Sequence, residues 1–204
     1  MRSIMPAFER HSKVGETVGR LVVGYGELEF GLMALVATIT DDWDTAVKTM
    51  FRPRGESQRL KIADALARQR IEDADFRRGF EKVLSDTRHC LKIRNQYAHC
   101  NWLDPDGILC FVDLEEIALK NERVNISVGL KRHSIDVELV TNQMAFFVYV
   151  DDYLTAMRAD WLMRRGADYA PFEFPQAVPR PSLGKSLEAP DSPDQAKAPE
   201  LNGK

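Results

Sequence analysis

A chain of 204 residues with 44% hydrophobic and 29% charged residues has room for one domain and a tail, with a core that needs no disulfide or metal support. Its formal net charge of −3 excludes a globally basic nucleic-acid binder. Three cysteines without a Cys-x-x-Cys pair exclude a secreted disulfide framework and point to a reducing cytoplasm.

The opening MRSIMPAFERHSKVGE has neither the apolar region nor the small-residue cleavage site of a signal peptide, and none is expected. From about 14 to 39, Val18, Leu21, Val22, Tyr25, Leu28, Leu32, Leu35, Val36 and Ile39 recur at three- and four-residue spacing, which predicts a long amphipathic helix. Its longest uncharged run, 30–40, is too short to span a bilayer, so a soluble protein is expected. Gly15, Gly19, Gly24, Gly26 and Gly31 predict either close backbone contact with a neighbour, such as another copy of the same helix, or a break near Gly24. After Arg-Pro-Arg-Gly at 52–55, Ser57 is read as the cap of a short second helix carrying Leu60, Ala63, Leu66 and Ala67.

A third helix is predicted over about 75–98, with Phe76, Phe80, Val83, Leu84, Thr87, Leu91, Arg94 and Ala98 on one side. Asp104-Pro-Asp-Gly107 forms a turn. The segments 108–114, 123–128 and 133–139, rich in Val, Ile and Phe, predict short strands of a hairpin or meander inserted over about 108–139. A last helix is expected over about 141–165. From 171 onward come seven of the ten prolines and few large apolar residues, so the segment 169–204 is read as a disordered tail beyond a domain spanning 1–168. The fold class that follows is mainly α, an up-and-down bundle of about four helices with a small β insertion before the last.

Two polar residues fall on apolar stripes: Glu29 in the first helix and Arg94 in the third. A charge in such a place costs several kcal/mol, about 3–5 if its partner is removed. The economical expectation is that Glu29 and Arg94 meet in the bundle interior. Arg94 opens the stretch RNQYAHCNW, in which Asn95 and His99 lie one turn apart on the same helix face. Arg94 and His99, five residues apart, are separated by roughly 140° around a straight helix. Either the helix loosens at its end or a second copy completes the site across a two-fold axis. Arginine offers a planar fork to a phosphate, and histidine moves a proton near neutral pH. That pairing suits RNA, whose 2′-hydroxyl is its own nucleophile. The plain structural alternative is an Arg and a His interacting with a helix C-terminus.

Between 52 and 94 stand twelve Lys/Arg against seven Asp/Glu, a local basic excess that fits either phosphate contacts or a solvated face of mixed charge. His89, Cys90, His99, Cys100 and Cys110 have no zinc-type spacing, so no metal site is expected, and no phosphate-binding Gly-rich loop follows a strand. His11 and His133 have no partner motif and are read as surface residues.

Arg94, Asn95 and His99 at the end of a core helix, with Tyr97 and Ala98 between and Trp102 just beyond, after a first helix containing YGELEFGLMALV, resemble the R-x4-6-H motif of bacterial HEPN-superfamily proteins. The resemblance spans roughly 14–165 and is concentrated in about ten residues; the β insertion departs from the pattern. It implies a homodimeric helical bundle and a metal-independent, cofactor-free RNA endonuclease in a toxin–antitoxin or other defence system. An antitoxin or nucleotidyltransferase would be its partner, and no membrane is implied. Under it His99 is the general acid/base, Arg94 the phosphate contact and Asn95 the orienting group, with Glu29, Tyr97 and Trp102 in supporting positions. The alternative is a catalytically inactive HEPN-like nucleotide-binding or scaffold domain.

Overall fold

The computed structural model describes residues 5–113, 118–119, 132–168 and 173–187. A single turn, α1 (Ala7–Arg10), leads into α2 (Ser12–Thr40), in which Val18, Leu21, Tyr25, Leu28, Leu32, Leu35, Val36 and Ile39 are buried, as their spacing predicts, and Val22 of the same stripe is half-buried. α2 runs unbroken through Gly24. Within the chain itself, two of the five glycines are closely approached. A Cβ on Gly15 would lie 2.8 Å from the Phe8 ring and one on Gly31 3.4 Å from Leu154, whereas Gly19, Gly24 and Gly26 have nothing within 4 Å. By length and composition α2 could cross a membrane; most of its apolar residues pack inside the bundle, while Val23 and Phe30 are exposed.

α2 ends where Asp41 turns left-handed, at φ 57°, and Asp42 then caps α3 (Trp43–Phe51) by accepting from the Thr45 amide at 2.9 Å. The hydrophobic pattern does not reveal α3, because only Ala46 and Met50 turn fully inward. α4 (Glu56–Arg68) starts one residue before Ser57, with Gly55 at its cap position. α5 (Ala74–His99) and α6 (Val137–Arg164) are capped by Asp73 and Asp136, which accept from the amides of Phe76 and Leu139 at 2.7 Å each. α2 lies along α6 and α5, and α3 and α4 close the remaining side. Phe76, Phe80, Phe146 and Leu35 sit at the centre, each contributing roughly 1.5–3 kcal/mol by leaving water.

The sheet is antiparallel in the order β1 (Asn101–Leu103), β2 (Cys110–Val112), β3 (Arg132–Ser134), β4 (Lys185–Leu187). The expected turn joins β1 to β2, with Asp106 at φ 55° and Gly107 at φ 78°. Within the segment expected as a strand at 133–139, strand geometry stops at Ser134 and α6 begins at Val137, because Asp136 offers a helix cap. The expected strand at 123–128 lies outside the described residues.

The tail corrects the expectation of disorder over part of its length, since 173–187 runs as a strap along α5 and α6 and ends as β4. Its backbone carbonyls meet donors already fixed on the bundle. His89 Nε2 donates to Pro181 O at 2.9 Å, Gln143 Nε2 to Ser182 O at 2.8 Å, and Gln96 Nε2 to Leu183 O at 2.9 Å. Arg180 Nε reaches the buried carboxylate of Asp86 at 2.7 Å. Pro175, Pro179 and Pro181 narrow the unfolded ensemble, so ordering the strap costs less entropy than its low apolar content suggests. Residues 188–204 lie outside the described residues.

Candidate functional site

Lys92, Asn95, Gln96 and His99 stand at positions i, i+3, i+4 and i+7 of α5 and therefore share one face of its last two turns. That face opens into a cleft of about 570 Å³, whose other walls are Phe111 and Asp113, His133 of β3, and Leu183 and Gly184 of the strap. The helix ends at His99 because Cys100 adopts extended backbone and the chain turns directly into β1. This places His99 beside the sheet. Phe111 is buried, and the His133 ring stacks on it at 5.0 Å with 14° between planes. Gly184 permits the strap's close approach, since a Cβ there would lie 3.3 Å from Gln96 Nε2 and from Phe111 Cζ.

The motif residues divide between two environments. His99 and Asn95 line the cleft, and Arg94 does not. Arg94 Nη1 donates to Asn95 Oδ1 at 2.9 Å and stands 3.4 Å from Glu56 Oε1 on α4. Asn95 thus touches both environments. Ala98, expected on the buried stripe, is exposed, and Arg94 is half-buried.

Glu29 is buried, as its position on the stripe predicts, but its ion-pair partner is Arg59 of α4, whose Nη1 lies 2.6 Å from Glu29 Oε2. The expected Glu29–Arg94 pair is corrected accordingly: α4 interposes its own arginine, and Arg94 acts on Glu29 only through space. Burial raises the Glu29 carboxyl pKa, the positive Arg59 opposes that rise, and Glu56 adds to it. Tyr25 Oη, Glu29 Oε1 and Arg59 Nε are buried there without hydrogen-bond partners among the described residues. Burial, reinforced by Glu29, holds the Tyr25 phenol protonated.

Tyr97 and Trp102 support the cleft from the far side of Phe111. The Tyr97 hydroxyl donates to Gln143 Oε1, and Gln143 passes its amide N–H groups to the strap carbonyls. Trp102 packs against Phe8 at 4.7 Å and against Tyr97 and Phe111 at 5.7 Å each.

Several basic residues of 52–94 pair with carboxylates of the same stretch, already counted among its seven acids, so the local excess stands. Arg68 pairs with Asp64 and Glu81, Arg78 with Asp75, Lys82 with Asp86, and Arg94 with Glu56. Lys92, in the cleft, has no such partner among the described residues. The cysteines are free thiols. Burial keeps Cys90 protonated and pushes Cys100 up to about 12, so neither is a thiolate nucleophile near neutral pH. Among the described residues no three His, Cys, Asp or Glu side chains gather into a metal-binding group.

Sequence reasoning missed Lys92, Gln96, His133 and Arg59. The first two carried a signal, the seven-residue polar stripe ending at His99. His133 carried none, because its place in the cleft wall depends on the strand pairing. No protein-family model matches the chain, and no curated protein or solved structure matches it.

Proposed function

We propose that the chain is a HEPN-like, metal-independent endoribonuclease whose site is the cleft at the end of α5. The carrying observation is that His99, Asn95 and Lys92 open together into one cleft while Asn95 binds Arg94 at its edge. An RNA strand in that cleft would place a phosphate against Lys92 and the amide of Asn95. His99 would transfer the proton that 2′-hydroxyl attack requires. Arg94, outside the cleft and bonded to Asn95, would act on the phosphate only through Asn95 and its field. The three free cysteines suit a reducing cytoplasm. The wider setting belonging to this reading is a homodimer in a toxin or defence system, with an antitoxin or nucleotidyltransferase as partner.

A second reading is favoured by one observation, the contact of Arg94 with Glu56, which spends part of its charge inside the protein. On that reading the motif is structural, and the chain is a catalytically inactive nucleotide-binding or scaffold domain. Incubating varied single-stranded and structured RNAs with wild type, Arg94→Ala and His99→Ala separates the two. Cleavage by wild type to 2′,3′-cyclic phosphate ends, lost in His99→Ala, supports the nuclease. No cleavage of any RNA by wild type sinks it and leaves the binding domain.

A further inference from the structure

We infer that His133 is the second proton-transfer residue of this cleft, so that one chain carries both the acid and the base for cleaving single-stranded RNA. The inference rests on the ribonuclease reading above. Cleaving a phosphodiester by its own 2′-hydroxyl needs two proton transfers, one from the attacking oxygen and one to the leaving oxygen. The R-x4-H motif supplies only one imidazole. Its arginine is turned toward Glu56 and out of the cleft. A second imidazole lines the same cleft from the opposite element, the sheet.

His133 is well held for such work. Its strand lies inside the sheet, with His133 opposite Phe111 of β2 on one side and opposite Ser186 of β4 on the other. Stacking on buried Phe111 fixes the ring plane. His99, at the last residue of α5, has no hydrogen-bond partner among the described residues and is exposed to the cleft. A volume of about 570 Å³ lies within the range of small-ligand clefts, which suits a dinucleotide step of an unpaired strand and not a duplex.

The reaction balances within the chain and its substrate. One imidazole, neutral, takes the 2′-hydroxyl proton as the 2′-oxygen bonds to phosphorus. The other, protonated, gives its proton to the 5′-oxygen as the bond from phosphorus to that oxygen breaks. The products are a 2′,3′-cyclic phosphate and a 5′-hydroxyl, with one proton accepted and one donated. Lys92 and the Asn95 amide face the non-bridging oxygens, where charge accumulates.

The test uses the full chain with wild type, His99→Gln and His133→Gln, each checked for an unchanged thermal melt. Two dinucleotide substrates are compared, ordinary RNA and RNA with sulfur at the bridging 5′ position, whose thiolate leaves without an acid. On ordinary RNA each variant is expected to lose about 10²- to 10⁴-fold in kcat and one limb of the pH–rate bell. On the sulfur-bridged substrate one variant returns to near wild-type rate and the other does not, which identifies the acid. Mixing the two variants restores nothing, because each chain builds its own site. His133→Gln with wild-type kcat, or with both limbs of the bell intact, overturns the inference and leaves the ribonuclease reading standing. Activity restored in the mixture overturns the single-chain site. A wild type inactive on both dinucleotides overturns the inference, and the ribonuclease reading falls with it only if the varied RNAs above also stay uncleaved.

Discussion

Asn95 accepts a 2.9 Å hydrogen bond from Arg94 Nη1 and at the same time lines the cleft that holds His99. Asn95 therefore touches Arg94 on one side and the cleft on the other. A hydrogen bond to a charged group is worth about 1.5–3 kcal/mol. If Arg94 acts on the transition state through this contact, Asn95→Ala lowers kcat roughly 10- to 100-fold, the rate equivalent of that energy. The thermal midpoint should hardly move, since neither residue is fully buried. RNA cleavage and a melt on the same sample check both halves. An unchanged kcat would remove Asn95 from the orienting role.

The Glu29–Arg59 pair sets a pH dependence. Burial raises the folded-state pKa of Glu29 above its unfolded value, so between the two values the folded chain binds more protons. Stability from this group is complete below the unfolded pKa and is lost as pH rises through the folded one. Against Glu29→Gln, wild type should lose relative stability from acid toward neutral pH in urea melts. Arg59→Met leaves the buried carboxylate without its partner and should cost roughly 3 kcal/mol at neutral pH, less in acid where Glu29 can take a proton. A cost independent of pH would show that Glu29 is not the responsive group.

Tyr97 lies inside the motif yet faces the core, where its hydroxyl donates to Gln143. Tyr97→Phe leaves Gln143 Oε1 buried without a donor and should cost about 1–3 kcal/mol of stability. Cleavage per folded molecule should stay unchanged, because the lost group touches nothing in the cleft. Denaturant melts and kcat at a temperature well below the midpoint measure these separately.

The helices were legible because each buries a stripe at helical spacing, and Glu29 was legible as a buried charge because it interrupts such a stripe. Its partner was not. Arg59 lies on a helix whose rotation about α2 no local pattern reports, and it reached Glu29 before Arg94 could. α3 escaped notice because two buried residues, Ala46 and Met50, make too narrow a stripe. The polar face of Lys92, Asn95, Gln96 and His99 was present in the sequence at ordinary helical spacing. What hid the site was its other half. His133 and Gly184 reach the cleft through strand pairings with residues far away in the chain. The strap hid for a different reason, because its order comes from side chains of α5 and α6 that meet its backbone, and low apolar content says nothing about those.

Gly184 offers a way to test the strap at a position that carries no side chain of its own. A Cβ at this position would stand 3.3 Å from Gln96 Nε2 and Phe111 Cζ and 3.4 Å from His133 Cβ. The two methyl groups of valine have no room beyond that, so Gly184→Val must lift the strap or displace its neighbours, at about 1–3 kcal/mol. Lifting it removes the acceptors of Gln96 and Gln143 and opens one wall of the cleft. Limited proteolysis should then cut within 173–187 at protease levels that leave wild type intact. On the proposed reading RNA cleavage should weaken, through KM where the strap lifts and through kcat where His133 is displaced. A strap as protease-resistant as that of wild type would mean that the wall does not depend on this contact, and that the hydrogen bonds from Gln96 and Gln143 hold it alone.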